Sequence, residues 1–365
     1  MKRLLLLLAV WAVWVVFILA ARAGGGLFPG AMLAYTSYGD SVLTLYVLDR
    51  RTGIRADLGK EDVLSLTWSA DGRLAYSSKR GDDYEISVWD GATLIDISPD
   101  GVTDSNPVWS TDGRLAFLSY RPNTGDLPII AIWDGGERIP VPESQGADSA
   151  PTWSADGRLA FMTRWGAPAE IFVWDGEDSL KSMNVSQSPA TDNSPVWSSD
   201  GRLAFVSDRN GINQVYVWDR TTLTKVSDGQ ANNDPPTWSK DGQLAVISER
   251  DGNREIYIWN GTSLTNISQN AHLDTLPTWS ADGRLAFVSD RDGNNEIYVW
   301  DNAGLTNISQ NASADIYPVW SKDGQLAFIS DRDANYEIYV WDGTSLTNVT
   351  HSPTTSDSSP ALWTP

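Results

Sequence analysis

One unit of about 41 residues recurs through most of the sequence. In residues 277–309 it reads Trp-Ser-Ala-Asp-Gly-Arg-Leu-Ala-Phe, then Ser-Asp-Arg-Asp-Gly-Asn, then Glu-Ile-Tyr-Val-Trp-Asp. Its first tryptophan recurs at intervals of 41 or 44 residues, at Trp68, Trp109, Trp153, Trp197, Trp238, Trp279 and Trp320. A repeat of this period means that one small structural unit is copied, and that each copy packs against its neighbours.

Each unit is predicted to form four short antiparallel strands, named A to D. Asp282-Gly283 separates two short apolar runs, which is a strong signal for a tight hairpin. The predicted strands of this copy are residues 277–279, 284–289, 296–300 and 305–309. Both faces of strand C are apolar, because Ile297 and Val299 alternate with Tyr298 and Trp300. Such a sheet must be covered on both sides, and stacked copies of itself can cover it.

The two ends of the repeat region are complementary. Residues 32–58 match strands B, C and D without strand A, whereas residues 357–362 match the approach to strand A alone. With seven full copies between them, the sequence predicts an all-β, eight-bladed β-propeller closed by the last strand. Leu362 falls where the other copies have tryptophan and Trp363 comes one place late, so a shifted or bulged closing strand is expected.

The chain begins with a different kind of segment. Lys2 and Arg3 precede an apolar run over residues 4–21, after which three glycines follow. Residues 1–23 are interpreted as a cleaved signal peptide or an amino-terminal transmembrane anchor, and both alternatives stay open. Residues 24–30 form a glycine-rich spacer, and residues 31–365 the propeller. Either alternative places the propeller outside the cytoplasm, in the periplasm or secreted.

The net charge of the repeats restricts the kinds of molecule that they can bind. The sequence has 47 acidic and 27 basic residues, and three of the basic ones lie in the first 22 positions, so the repeats carry 24 minus 47, or −23. This charge disfavours nucleic acid and anionic lipid surfaces and suits cationic partners. There is no cysteine, hence no disulfide and no thiol chemistry.

The motifs Trp-Ser-x-Asp-Gly-x-Leu-Ala-Phe, Ser-Asp-Arg-Asp-Gly-Asn and Glu-Ile-Tyr-Val-Trp-Asp resemble the WD40-like repeats of TolB-type propellers over about residues 31–365. The resemblance implies the fold and, commonly, an extracytoplasmic binding or scaffolding role, but no single ligand. TolB has a separate domain ahead of its propeller, for which residues 1–30 leave no room, so its partners are not carried over. Related propellers gate peptidases, with a hydrolase domain that residues 1–365 do not contain.

Charged residues recur at two points of the unit that lie on one face of a propeller. Arginines occupy the B–C turn, and aspartates come just before strand A. Ion pairs between them are expected to tie these loops together, and the alternative is that the aspartates line the channel mouth as a cation site. The arginines are Arg80, Arg121, Arg209, Arg250, Arg291 and Arg332, and the aspartates are Asp104, Asp148, Asp192, Asp274, Asp315 and Asp357.

The turn containing Asp290, Asp292 and Asn294 resembles part of a calcium loop, because alternating carboxylate and amide oxygens suit a hard cation. Its glycine comes too early for an EF-hand, and one copy replaces it, so a hydrogen-bonded hairpin turn is the favoured interpretation. Calcium at these three residues is the alternative.

Irregular loops are the candidates for recognition. Blade 3 has Arg164-Trp165 where Asp-Arg is expected, and blade 2 carries three extra residues after Tyr120. Exposed aromatics on loops are typical of binding patches, although loop drift would also produce them. The predicted binding-face residues are Tyr38, Tyr120, Arg121, Trp165, Tyr317 and Tyr336.

Catalysis has little support. The only histidines, His272 and His351, lie in different loops, and the sequence lacks Gly-x-Ser-x-Gly, a phosphate-binding loop and His-Glu-x-x-His. We therefore predict no catalytic residue, no resident cofactor and no enzyme. The predicted function is a monomeric scaffold that binds protein or peptide in the cell envelope. A cation- or carbohydrate-binding module is the alternative, followed by an envelope hydrolase or lyase.

Overall fold

The computed structural model describes residues 31–39, 42–60, 62–99, 101–121, 127–142, 144, 148–164, 168–176, 181–227 and 235–364. The predicted signal or anchor at residues 1–23 and the spacer at 24–30 lie outside these residues. Within them, every regular element is a β-strand, and no helix is long and apolar enough to cross a membrane.

Thirty-two strands form eight antiparallel sheets of four. Seven sheets, blades 1 to 7, take four consecutive strands each, and the closing blade takes strands from both ends of the repeat region. In the order blade 1 to blade 7 and then the closing blade, strands A are Val63–Trp68, Thr103–Trp109, Ser149–Trp153, Asp192–Trp197, Thr237–Trp238, Asp274–Trp279, Asp315–Trp320 and Ser356–Trp363. Strands B are Leu74–Arg80, Leu115–Tyr120, Leu159–Thr163, Leu203–Ser207, Leu244–Ser248, Leu285–Ser289, Leu326–Ser330 and Met32–Gly39. Strands C are Asp83–Trp89, Ile129–Trp133, Glu170–Trp174, Gln214–Trp218, Glu255–Trp259, Glu296–Trp300, Glu337–Trp341 and Val42–Asp49. Strands D are Leu94–Asp96, Arg138–Pro140, Met183–Asn184, Leu223–Lys225, Leu264–Asn266, Leu305–Asn307, Leu346–Asn348 and Arg55–Lys60.

The eight sheets close into a ring. Each strand A contacts the strands A of both neighbouring blades, including the strand Ser356–Trp363 between blade 7 and blade 1. Strands A therefore form the inner wall around a central channel, and strands D lie at the periphery. The predicted eight-bladed propeller and its closure by the last strand are confirmed.

The core lies between the blades. Strands B and C bury both of their faces, so each blade contributes one apolar surface to each neighbour. Between blades 6 and 7, for example, Val288 and Val299 of blade 6 pack with Leu326, Phe328 and Tyr339 of blade 7. The period-two alternation of the sequence accounts for this arrangement, because successive side chains of a strand point to opposite neighbours.

Tryptophans of strand A connect each blade to the one before it. The indole Nε1 of Trp320 donates a hydrogen bond to the carbonyl oxygen of Thr278 in the preceding strand A, at 3.1 Å. Trp68, Trp153, Trp197, Trp238 and Trp279 make the same bond, at 3.0–3.2 Å. The tryptophan is thus both core and donor, which explains why the repeat has it at this position.

Arginines of the A–B turn connect each blade to the one after it. Arg284 lies 4.7 Å from the ring centroid of Trp320 and donates to the carbonyl oxygen of Gly324, at 3.0 Å. Arg73, Arg114, Arg158 and Arg202 do the same, at 4.4–4.6 Å from the next tryptophan. Gln243 and Gln325 replace this arginine in blades 5 and 7.

The closing strand keeps the register of the other strands A although its tryptophan, Trp363, comes one residue late. Leu362 pairs with Leu33, as the tryptophans of the other strands A pair with their leucines, so the register is not shifted. A bulge is present between Ala34 and Thr36, but six of the other blades carry one in the same pairing, so it belongs to the repeat and not to the late tryptophan. The ring of Trp363 lies 6.2 Å from that of Trp68. The extra residue thereby takes the place of the A–B turn arginine in stacking on the next blade.

Candidate binding face

The B–C turns and D–A loops lie together on one face of the ring, which we call the B–C face. In three blades the arginine of the B–C turn donates to the fully buried aspartate that begins strand A. These pairs are Arg209 with Asp192, Arg291 with Asp274 and Arg332 with Asp315, at 3.2, 3.1 and 3.0 Å. In these blades the predicted ion pairs between turn and loop are confirmed.

Each of these guanidinium groups also stacks on its own blade. Arg209, Arg291 and Arg332 lie 4.4–4.6 Å from the ring centroid of the tyrosine in the middle of strand C. A serine hydroxyl at the end of strand B accepts from Nε at 2.8 Å in all three. The guanidinium is therefore held on several sides, which fixes the B–C turn to the start of strand A.

The prediction is wrong in blade 2, and Arg80 and Arg250 contact other carboxylates among the described residues. Arg80 pairs with Asp96 of strand D at 2.7 Å, and Arg250 with its neighbour Asp251 at 3.6 Å. In blade 2, the buried Asp104 is bound by Arg138 of strand D, not by Arg121. Among the described residues, the expected pairing of turn and loop is present in blades 4, 6 and 7.

In blade 2, Arg138 takes the place of Arg121 as the partner of Asp104 for a steric reason. Ala131 stands where blades 4 to 7 have the strand-C tyrosine, and this leaves the space above Phe117 open. Arg138 extends across it, 4.9 Å from the Phe117 ring centroid, and donates to both carboxylate oxygens of Asp104 at 2.7 and 3.1 Å. The guanidinium site of the repeat is thus filled from strand D, and Arg121 lies elsewhere, on the exposed rim.

A cavity of about 410 Å³ opens beside this exchange, between blades 1 and 2. Apolar side chains form most of its wall, and Leu127 is 55% exposed. It is lined by Pro99, Val102, Ser119, Tyr120, Arg121, Leu127, Ile129 and Arg138. Two predicted binding-face residues, Tyr120 and Arg121, are thereby brought to one concave, largely apolar surface.

Three other predicted residues gather at the closing blade. Tyr38 pairs with Ser356, and the carbonyl oxygen of Tyr336 accepts from the backbone nitrogen of Asp357 at 2.7 Å, so both flank the start of the closing strand. Tyr317 lies on the adjacent strand A of blade 7. Their exposed fractions are 55%, 44% and 54% in the order Tyr38, Tyr336 and Tyr317. Trp165 lies outside the described residues.

The channel wall contains Tyr317, which the sequence predicted for the binding face, and Leu276, which it did not. Leu276 and Tyr317 occupy the bulge of strand A in adjacent blades, with φ of 53° and 56°. Blades 2 and 4 have Asn106 and Ser194 there, also before proline and with φ of 54° and 53°. Because the outer edge of strand A is paired and its faces are packed, the solvent that reaches Leu276 is in the channel. The signal was a leucine at a position where blades 2 and 4 and the closing blade have Asn106, Ser194 and Ser359.

The candidate calcium residues are engaged in a hydrogen-bond network. Asp290 accepts from the backbone nitrogen of Leu273 at 2.7 Å, and Asp292 accepts from the Tyr298 hydroxyl and from Asn307. Asn294 turns its amide nitrogen inward, toward two loop carbonyl groups and Glu296. Across the described ranges, no three His, Asp or Glu side chains are grouped to hold a metal ion. The arrangement is that of a hydrogen-bonded hairpin turn.

The two histidines lie apart, in the loops that lead into blade 6 and into the closing blade. The side chain of His272 is about half exposed, with Nδ1 3.6 Å from Asp290, and His351 is exposed as well. This pair does not assemble a catalytic site.

Known proteins agree with the fold. The model of the TolB beta propeller domain (PD40) matches residues 89–222 and 219–362. No curated protein matches the sequence. Among solved structures, the beta-propeller domain of the Trilobed protease from Pyrococcus furiosus is 15% identical with a TM-score of 0.56, covering 80% of this chain and 97% of that one.

Two whole peptidases show the same likeness. Pyrococcus horikoshii acylaminoacyl peptidase is 16% identical with a TM-score of 0.54, covering 80% of this chain and 52% of that one. Prolyl oligopeptidase B from Galerina marginata is 12% identical with a TM-score of 0.60, covering 81% and 51%. The chain thus spans about half the length of these peptidases, and the likeness at such identity concerns the fold. The family match extends over most of the repeats, and the chain belongs to the TolB beta-propeller (PD40) family.

Proposed function

We propose that the ring is an extracytoplasmic scaffold of the cell envelope that binds a protein or peptide on its B–C face. The observation that carries this proposal is the cavity between blades 1 and 2, where Tyr120 and Leu127 offer apolar surface beside Arg121. Concave, mostly apolar surfaces with a few polar groups are typical of binding sites, and aromatic and arginine side chains supply much of the binding energy at protein interfaces.

The location and the partner's charge rest on further features. The apolar run over residues 4–21, preceded by Lys2 and Arg3, supports export of the repeats. The formal charge of −23 over the repeats favours a basic partner and fast, salt-dependent association. The binding unit in this proposal is a monomer, since the ring closes on itself.

Affinity capture from envelope extract tests the proposal. The intact ring is the bait, and Tyr120→Ala, Leu127→Ser and Trp165→Ala are the variants. Met183→Ser is the matched control, because Met183 is 50% exposed but lies on the peripheral strand D of blade 3. We expect these three variants to lose the captured partner at unchanged Tm, and the control to retain it. Capture that is equal for all baits would overturn the proposal.

A second candidate function is that of a propeller that works with a peptidase. It is favoured by the likeness to peptidase propellers in solved structures. Hydrolysis of fluorogenic peptides by the purified chain, lost in His272→Ala or His351→Ala, would support an enzyme of its own. Hydrolysis that appears only when a separate hydrolase is added would support an accessory propeller.

A further inference from the structure

Asp357 of the closing strand occupies the position at which Asp192, Asp274 and Asp315 bind arginine. It pairs with Ser37 as Asp315 pairs with Ser330, and its side chain is fully buried. Neither of its carboxylate oxygens accepts a hydrogen bond. A buried carboxylate with neither a cation nor a hydrogen-bond donor is destabilising in its charged form.

The repeat's own arginine cannot be placed here. Gly39 follows Ser37 by two residues, as Arg332 follows Ser330. A Cβ atom on Gly39 would lie 2.3 Å from Cγ2 of Thr355, so the loop before the closing strand already fills the space of that side chain.

The alternative used in blade 2 is blocked as well. Arg55 of strand D stands at the position of Arg138, but Tyr46 stands where blade 2 has Ala131. The guanidinium of Arg55 stacks on Tyr46, 4.3 Å from the ring centroid, and donates to the Tyr35 hydroxyl at 3.4 Å. Its stacking and its hydrogen bond are thus made with the two tyrosines, no ion pair joins it to Asp357, and Asp357 acts on it only through its charge.

The surrounding groups do not replace the cation. The Ser37 hydroxyl donates to Thr355 and the Thr350 hydroxyl donates to Glu337, whose carboxylate adds negative charge. On the strands packed against the closing strand, the described titratable side chains are Tyr35 and Tyr38 of strand B, Glu337 and Tyr339 of blade 7 strand C, and Asp315 and Tyr317 of blade 7 strand A; Arg332 neutralises Asp315. Strand B of blade 7 and strand A of blade 1 carry none.

We propose that Asp357 makes closure of the ring proton-dependent, so that the joint between blade 7 and the closing blade is tightest when this carboxyl is protonated. On the inner wall, this joint lacks the two side-chain links that connect most other blades along strand A. Leu362 has no indole to donate to blade 7, and Gln325 replaces the arginine that would cross from blade 7. The stability of this joint therefore depends strongly on the state of one buried side chain.

The direction in which stability changes with pH follows from the pKa of Asp357 in the folded and unfolded states. Burial raises the pKa of Asp357 above its usual value of 3.8, and Glu337 acts in the same direction. The nearby hydroxyls of Ser37, Thr350 and Ser352 act in the opposite direction on this pKa, but they donate to Thr355, Glu337 and a backbone carbonyl oxygen rather than to Asp357. A raised folded pKa means that this group's contribution to stability is full below pH 3.8 and is lost as the pH rises through the folded pKa. Acid thus tightens the joint, and neutral pH loosens it.

Thermal unfolding of full-length protein between pH 4 and pH 8 tests the proposal, with wild type compared to Asp357→Asn. The amide removes the charge and keeps the shape. We expect equal Tm near pH 4 and a Tm about 2–4 °C higher for the variant near pH 8. Asp315→Asn is the matched control at the same position of blade 7. It should lower Tm at neutral pH, because Arg332 loses its buried partner.

Two further measurements keep the outcome decisive. The double variant Gly39→Arg with Thr355→Ala supplies the cation that Asp357 lacks. In this background, the difference in Tm that Asp357→Asn makes near pH 8 should disappear. Amide exchange in wild type, corrected for its intrinsic pH dependence, should show that protection of residues 356–363 falls more from pH 5 to pH 8 than protection of residues 315–320. If Asp357→Asn lowers Tm at neutral pH as Asp315→Asn does, or if both strands keep equal protection, the proposal is wrong.

Discussion

Trp363 packs against Trp68 across the joint between the closing blade and blade 1, with ring centroids 6.2 Å apart and ring planes tilted by 37°. Its ring also covers Gly72, where a Cβ atom would lie 2.9 Å from it. At five of the other joints an arginine covers this turn glycine and stacks on the tryptophan; Arg284 does so over Gly324 and Trp320. The indole of Trp363 and the guanidinium of the turn arginines thus perform the same packing role. The propeller therefore closes without an A–B turn in its closing blade.

The arginine link predicts a stabilising substitution. Gln243→Arg should restore stacking on Trp279 and a hydrogen bond to the carbonyl oxygen of Gly283, gaining about 0.5–1 kcal/mol in the free energy of unfolding. Denaturant midpoints at constant m-value measure this gain. Gln325→Arg is the control, because the next strand A has Leu362 and no turn glycine follows it. An equal gain in both variants would show that the added charge, not the link, stabilises the ring.

The exchanged arginine of blade 2 predicts a costly substitution. Arg138→Met should lower the free energy of unfolding by about 3 kcal/mol, because the buried carboxylate of Asp104 loses its cation. Adding Asp104→Asn should recover a large part of this loss, which a double-mutant cycle would measure. If the two losses simply add, Asp104 and Arg138 do not form the coupled pair described above.

The strained residue in the channel predicts a separation of stability from binding. Tyrosine with φ of 56° is costly by roughly 1–2 kcal/mol, whereas asparagine tolerates this conformation better. Tyr317→Asn should therefore leave the free energy of unfolding unchanged or higher, and should weaken capture of the proposed partner. Tyr38→Asn, at an exposed strand position with no such strain, should give no gain in stability. A clear loss of stability in Tyr317→Asn would contradict the strain argument.

The hydrogen-bonded turn predicts indifference to calcium. The oxygens of Asp290 and Asp292 already accept from protein donors, so a cation would have to displace these bonds. Tm should be the same in millimolar calcium and after addition of a chelator. A rise in Tm that the chelator reverses would restore the calcium interpretation.

The fold follows from the sequence because the same signals recur in every copy. The Asp-Gly turn, the apolar alternation and the complementary ends each predict the same ring, and repetition corrects the error of any one copy. The pair of Arg332 and Asp315 was predictable for this reason, because turn and loop return to the same face in each blade.

Departures from the repeat were not predictable in this way. Arg138 reaches Asp104 only because Ala131 is small, so three strands decide one contact. The role of Trp363 depends on the absence of a turn, and the exposure of Leu276 depends on a bulge. Such features require the side-chain packing of neighbouring strands, which no single copy of the sequence contains.

A disulfide across the closing strand tests the account most directly. The chain has no cysteine, and Tyr38 pairs with Ser356 in the closing sheet. Tyr38→Cys with Ser356→Cys should oxidise almost completely, because paired strand residues lie within disulfide reach, and the bond should raise Tm by constraining the unfolded chain. Tyr38→Cys with Ser359→Cys should remain reduced. If the first pair stays reduced, or both pairs oxidise equally, the strand Ser356–Trp363 does not close the ring as described.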